Sequence, residues 1–539
     1  MRIGTAVVIG VLVAALGAAA QERPDQTVFW NIRQEGMARS RILSTVHVLT
    51  DVYGPRLTGS PNLKAAGEWA IQQMREWGLA NAHLEPWDFG HSGWANERLV
   101  AHMVVPVKDA LVVEALSWTP GTNGVARAAA VQIVLPPSPI TQNDLTSYFE
   151  TIRATTKGKI VLVGPHQRVP VTFNPPALRR EDADVLTQLN APPAAARGQG
   201  PGPQASSPRP LTNNEVQQQL NQFLMANGVL VRINDAARDH GQIRAFSNNT
   251  YDVTKAPPTV VMRNEDYGRI SRLLADQRTV ELEFEIANRT YPEGRTNYNV
   301  VAEIPGTDTA GEVVMIGGHL DSWHSATGAT DNAIGCAIMM EAARILSVMG
   351  VKPRRTIRVA LWSGEEQGLL GSAAYVREHF GTFESPKADF EKLSAYLNVD
   401  NGTGRIRGFT AFGPPAAAGV LRDAAVSLKD LGLLGATTTR SRASGGSDWT
   451  SFSGAGLPGI NAMLDPIEYQ TYTWHTNLDT YERIVEDDAK QSAVAVAAMA
   501  YYLATRDERL PRFPNDEMPR APGAPAPQAA PSTGAARTP

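Results

Sequence analysis

From residue 297 onward the chain alternates between short apolar runs and longer amphipathic ones. NYNVVAEIPG and GEVVMIGGHLDS are short, rich in β-branched residues and bounded by Gly or Pro, which predicts strands. AIGCAIMMEAARILSVMG is too long for a strand and predicts a helix, and RTIRVALWSGEEQG reads as another strand that ends in a polar turn before a further helix. Strands alternating with helices predict an α/β fold in which a mixed β-sheet is sandwiched by helices. Between 119 and 290 the pattern changes to short apolar runs separated by turn residues, among them AAAVQIVLP, GKIVLVGP, GVLVRIND and PPTVVMRN, which predicts an inserted β-rich domain. Upstream, SRILSTVHVLTDVYG and NLKAAGEWAIQQMREWGL are helical and flank a loop, GPRLTGSPN. Residues 21–118 are therefore expected to be the first part of a domain that resumes over 291–510. NAPPAAARGQGPGPQASSPRP at 190–210 cannot bury apolar area and predicts a flexible insertion, and the Pro- and Ala-rich stretch 511–539 predicts a disordered tail.

The first 20 residues, one Arg followed by an apolar run ending in Ala18-Ala19-Ala20, have the form of a signal peptide, so export to the periplasm or medium is expected. No second apolar stretch reaches membrane-spanning length. With 50 Lys and Arg against 54 Asp and Glu the net charge is -4, and no basic cluster invites nucleic acid or an anionic membrane. Export permits disulfides, yet Cys336 is the single cysteine, so stability has to come from the core or from bound metal.

The polar clusters fall at the ends of the predicted strands, where open α/β sheets place their chemistry. His319 and Asp321 follow VVMI, Asp331 precedes a helix, Glu365 and Glu366 sit side by side in SGEEQG, Asp400 ends YLNVD, and His475 lies in YTWHTNLDT. Taken singly each has a structural reading: Asp331 as a helix N-cap, Asp400 as a turn residue, the glutamate pair as the acidic first turn of a helix. Together, imidazole and carboxylate are the ligand mixture that suits zinc, and a bridging carboxylate lets two ions sit close together. No G-x-S-x-G elbow or P-loop is present.

The order H-x-D, D-N before a helix, S-G-E-E-Q-G, N-x-D and a late H-T-x-x-D-T resembles the cocatalytic zinc exopeptidase family of leucyl aminopeptidases and glutamate carboxypeptidase. GPRLTGSPN, GHLDSW and GSDWTSFSGAGLPG are similar to its carboxypeptidase Q branch. The resemblance implies a zinc aminopeptidase-like fold with an inserted protease-associated domain, and two Zn2+ per chain. It makes Asp331 the bridging carboxylate, with His319 and Asp400 completing one site and Glu366 and His475 the other. It further implies that Glu365 is the general base, that Asp321 orients His319 through its second ring nitrogen, that the Asp331-Asn332 peptide is cis, and that Asp448 shapes the site. Where that family carries an oxyanion-stabilising Tyr before the last ligand His, this chain has Trp474, and Tyr472 or another group would have to serve. His324 is expected to support the site or face solvent, while Arg440 and Arg442 are candidates for a substrate carboxylate.

The expected activity is hydrolysis of terminal peptide bonds in short peptides or dipeptides, as an aminopeptidase or dipeptidase, by zinc-activated water. Carboxypeptidase action on the same centre, a non-catalytic receptor-like binding protein and a single-zinc glutaminyl cyclase are the alternatives. Short peptides are the expected partners, with no nucleic acid and no stable membrane insertion; a homodimer is possible.

Overall fold

The computed structural model describes residues 23–192, 209–443 and 445–523. The expected signal peptide, most of the 190–210 insertion and the end of the tail lie outside these residues. Among the described residues no helix is long and apolar enough to cross a membrane.

Two eight-stranded sheets organise the molecule. In the first, the centre is a parallel set of Thr356–Trp362, Val313–His319, Leu393–Asn398 and Gly459–Leu464, with Thr296–Ile304 and then Ala80–Asp88 added antiparallel on one side. On the other side Ile406–Phe412 pairs antiparallel and Ala436–Thr439 closes the edge. Alternate strand residues face opposite ways. Val314, Ile316, Ile357, Val359 and Leu397 pack with the helices Gln26–Ala38, Pro61–Glu76, Ile334–Val348 and Glu486–Thr505. Met315, Ala360, Trp362 and Tyr396 pack instead with Leu370–His379 and Trp449–Ala455. Register carries this order to the site: His319 lies beside Trp362 and Gly317 beside Asn398, so residues 319–321, 363–366 and 399–400 leave the sheet along one edge.

The second sheet begins earlier than the boundary at 119 expected from the sequence. Gly93–Val105 already belongs to it and pairs along its length with Glu281–Tyr291. The strands from Val125 to Met262 complete the sheet together with Val113–Ala115 and Asp109–Ala110. This part of the chain is also more helical than its apolar runs suggest. Gln142–Thr156 and Asn213–Ala226 are polar helices whose starts are fixed by capping boxes, Thr141 with Asp144 and Thr212 with Glu215. A third helix, Asp182–Asn190, leaves the second sheet and packs on the edge of the first, where Asp182 pairs with Arg407.

The stretch expected to be a disordered tail from 511 keeps its contacts well past that point. Phe513 is buried against Phe412, Arg512 donates to the carbonyls of Phe390 and Leu393, and the Glu517 carbonyl accepts from Arg440. One aromatic and one arginine anchor a segment whose Pro and Ala content masks them.

Candidate metal centre

His319 is the last residue of its strand and is fully buried. Its Nε2 lies 3.2 Å from Asp331 Oδ1 and 3.3 Å from Asp400 Oδ1. The other oxygen of Asp331, Oδ2, lies 3.2 Å from His475 Nε2, which is 2.9 Å from Glu366 Oε2. Two triads result, His319–Asp331–Asp400 and Asp331–Glu366–His475, each with its ligand atoms within 4.8 Å of one another. Asp331 belongs to both, with one oxygen turned to each histidine.

The electrostatics fit a cation. Burial works against a charged imidazole in His319, yet Asp400, Glu365 and Asp331 outweigh it and push its pKa well above the ordinary value. In His475 burial is likewise overcome, by Glu366 and Asp331, and the pKa rises to about 10. Burial pushes Glu366 up to about 7 and Glu365 well above its usual range, with Asp400 and Glu366 adding to the latter. Asp331 Oδ2, Glu366 Oε1 and His475 Nδ1 are buried without a hydrogen-bond partner. Buried polar atoms are normally paired, and a set of imidazole nitrogens and carboxylate oxygens converging in this way suits zinc.

The loops around the triads are tied down by residues of several segments. The Asp331-Asn332 peptide is cis, and Asn332 donates to Val399 O (2.9 Å), joining the Asp331 loop to the strand end that carries Asp400. Asp479, fully enclosed, accepts the backbone N–H groups of Thr330 (2.6 Å) and Asp331 (3.0 Å). Arg56, buried in the GPRLTGSPN loop, donates to the carbonyls of Leu49, Gly54, Leu320, Thr327 and Gly328 and so clasps the segment between His319 and Asp331.

Asp321 acts differently from its expected role. His319 Nδ1 meets the backbone carbonyl of Asp321 at 2.9 Å, whereas the nearer carboxylate oxygen is 3.7 Å away. The Asp321 carboxylate accepts instead from the backbone N–H groups of Glu365 and Glu366, both at 3.2 Å, and from the Thr58 hydroxyl at 3.1 Å. It fixes the turn that presents the two glutamates. Glu365 Oε2 then sits 3.9 Å from His319 Nε2, while Glu366 points to His475.

A cavity of about 600 Å³ opens beside Asp331, Glu365, Glu366, Asp400 and His475. Trp474 and Tyr469 also line it, and Trp474 stacks on the His475 ring with centroids 4.2 Å apart. Asp448 is fully buried between Ser447 and Trp449, which line the cavity, and burial pushes its carboxyl up to about 7. His324 is committed to the Ala115 carbonyl at 2.6 Å. Arg440 and Arg442 do not reach the cavity. Arg442 is bound to Glu384 and Gly454 O, and Arg440 lies over the Phe513 ring, because their strand end faces the tail.

The sequence held no signal for the contribution of the second sheet. Its segment 238–246 docks on the loop that carries His475: Ile243 and Asn477 exchange hydrogen bonds of 2.8 and 3.0 Å. Arg244 lies 4.4 Å over the Trp474 ring, and Phe246 packs edge-on to His475.

Residues 299–500 match the family model described as Peptidase family M28. Over 484 residues the chain is 27% identical to carboxypeptidase Q of Rattus norvegicus, covering 89% of each sequence. Among solved structures, a Peptidase M28 precursor from Shewanella amazonensis is 25% identical, with a TM-score of 0.63 over 91% of this chain and 98% of its own. The fold is also similar to that of a zinc aminopeptidase from Bacillus subtilis, which is 19% identical with a TM-score of 0.54 over 88% of this chain and 97% of its own. With its converging imidazoles and carboxylates at the sheet edge, the chain is a metallopeptidase whose residues 299–500 are similar to Peptidase family M28.

Proposed function

We propose that the protein is an exported two-zinc exopeptidase that hydrolyses terminal bonds of short peptides or dipeptides. The observation that carries this reading is the division of Asp331, whose Oδ1 faces His319 and whose Oδ2 faces His475. His319, Asp331 and Asp400 would hold one ion, and Asp331, Glu366 and His475 the other. These residues would hold zinc, and the chemistry it would supply there is a more acidic water and an electrophile for the peptide carbonyl. Glu365, next to a ligand and beside the cavity, takes the proton given up by the attacking water and hands it to the leaving amine. Asp321 keeps Glu365 in place through the backbone of the turn, and Asn332, Asp448 and Asp479 support the walls. The 93–291 sheet is assigned as the protease-associated-like domain, and the first 20 residues as the export signal.

Aminopeptidase or dipeptidase action is the first reading. Carboxypeptidase action is the second, supported by the similarity to carboxypeptidase Q over 89% of the chain. Dipeptides carrying either an N-acetyl or a C-terminal amide group separate the two. Cleavage that needs a free N-terminus and tolerates the amide supports the first; the reverse pattern overturns it in favour of the second. A purified protein that takes up no zinc and cleaves none of these peptides would be a binding protein on this scaffold.

A further inference from the structure

We infer that the Tyr469 hydroxyl is the hydrogen-bond donor to the substrate carbonyl oxygen as it gains negative charge, the role that Trp474 leaves open. This rests on the exopeptidase reading above. Position 474 has no hydroxyl, and its indole is stacked on His475 and covered by Arg244. Tyr472 is turned away, its ring 5.8 Å from that of His240. Tyr469 lines the cavity, and its hydroxyl donates to Asp400 Oδ1 at 3.5 Å. That length is at the weak limit for an O–H···O bond, so the donor can be exchanged for a better acceptor.

The ring is held where an oxyanion donor needs to be held. It rests on Gly402, whose φ is +85°; a Cβ there would come within 2.8 Å of the Tyr469 side chain, so glycine is required both for the turn and for the seat. The backbone at both ends is fixed, with Tyr469 N donating to Pro466 O at 2.9 Å and Trp474 N donating to Tyr469 O at 2.8 Å. Two other polar side chains along the cavity already have partners: the Asn401 amide donates to Ala462 O at 3.5 Å, and the Ser447 hydroxyl accepts from the Asn398 amide at 2.9 Å. Tyr469 is thus one hydrogen bond from a candidate metal ligand and faces the space where a carbonyl would bind.

The test compares wild type with Tyr469→Phe, both zinc-loaded, using the best dipeptide substrate and a phosphinic dipeptide that mimics the tetrahedral species. Removing one oxyanion donor costs about 10²–10³ in kcat. The expected result is that loss in kcat with little change in KM, a parallel loss of phosphinate affinity, unchanged affinity for product amino acids and unchanged zinc content. Unchanged kcat and phosphinate affinity overturn the assignment, as does loss of zinc, which would mean that Tyr469 only holds Asp400. Trp474→Phe or Tyr472→Phe carrying the selective loss instead also overturns it. A wild type that binds zinc yet cleaves no peptide contradicts the exopeptidase reading itself, and the assignment falls with it; an active wild type with an equally active variant contradicts Tyr469 alone.

Discussion

Replacing Asp321 by Asn separates the two roles that one residue could play at this site. The side chain is fully buried, and its carboxylate accepts three hydrogen bonds, from Glu365 N, Glu366 N and the Thr58 hydroxyl. An amide presents one acceptor oxygen, so in either orientation at least one backbone N–H meets an NH2 group. An unpaired buried donor costs about 1–3 kcal/mol. The remaining bonds change from a charged to a neutral acceptor and lose roughly half their strength, about 1 kcal/mol more. The sum, roughly 2–4 kcal/mol, is smaller than the roughly 5–15 kcal/mol typical of a folded domain, so the chain still folds. The turn carrying Glu365 shifts, and a displacement of about 1 Å costs on the order of 10²-fold in kcat. His319 bonds to the backbone carbonyl of Asp321, which the substitution leaves in place. Dipeptide kinetics with zinc analysis on the same preparation should therefore show Asp321→Asn with full metal and kcat down about 10²-fold. Wild-type turnover would refute the positioning role, and loss of zinc with His319 displaced would restore the carboxylate as the partner of the imidazole.

Two other expectations follow from the same geometry. In the metal-free chain the pKa of His475 stands near 10, above its ordinary value of 6.5, so its charged form contributes stability that is complete below about pH 6.5 and disappears as pH rises through about 10. Zinc requires neutral imidazole and ionised carboxylate, so loading at pH 7 should release at least two protons, from His319 and His475 with a further fraction from Glu366, and should strengthen as pH rises; calorimetry in buffers of different ionisation enthalpy reads this, and zero release contradicts it. Gly93→Ala would place a Cβ 1.9 Å from Gly59 O, pushing away the loop that carries Arg56 and Thr58. Urea unfolding should show a loss of roughly 3 kcal/mol, the upper range for overpacking, and an unchanged midpoint would show that the crossing yields easily.

The alternation of strands and helices after 297 made the first sheet legible, because buried parallel strands are continuous apolar runs with polar residues only where they end. The same logic pointed to His319, Glu365, Glu366 and Asp400, since a carboxylate or imidazole directly after an apolar run has little reason to be there but chemistry or a turn. What was hidden had physical causes. Spacing cannot tell whether Asp321 offers its carboxylate or its carbonyl, and the structure uses both, for different partners. Arg440 and Arg442 are near Asp448 in sequence but face Phe513 and Glu384. Arg244 meets Trp474 from 230 residues away, a pairing that only the docking of the second sheet creates. Asp479 lay within a recognised motif, yet its task of receiving two backbone N–H groups leaves no pattern in the chain.

The adjacent glutamates of SGEEQG offer the most direct measurement. Zinc content and dipeptide turnover should be determined together for wild type, Glu365→Gln and Glu366→Gln. The account predicts two zinc ions per chain in wild type. Glu365→Gln should keep both while turnover falls about 10²–10⁴-fold, the usual contribution of a general base, and Glu366→Gln should lose the ion beside His475. Equal metal content and equal activity in the two variants would contradict it.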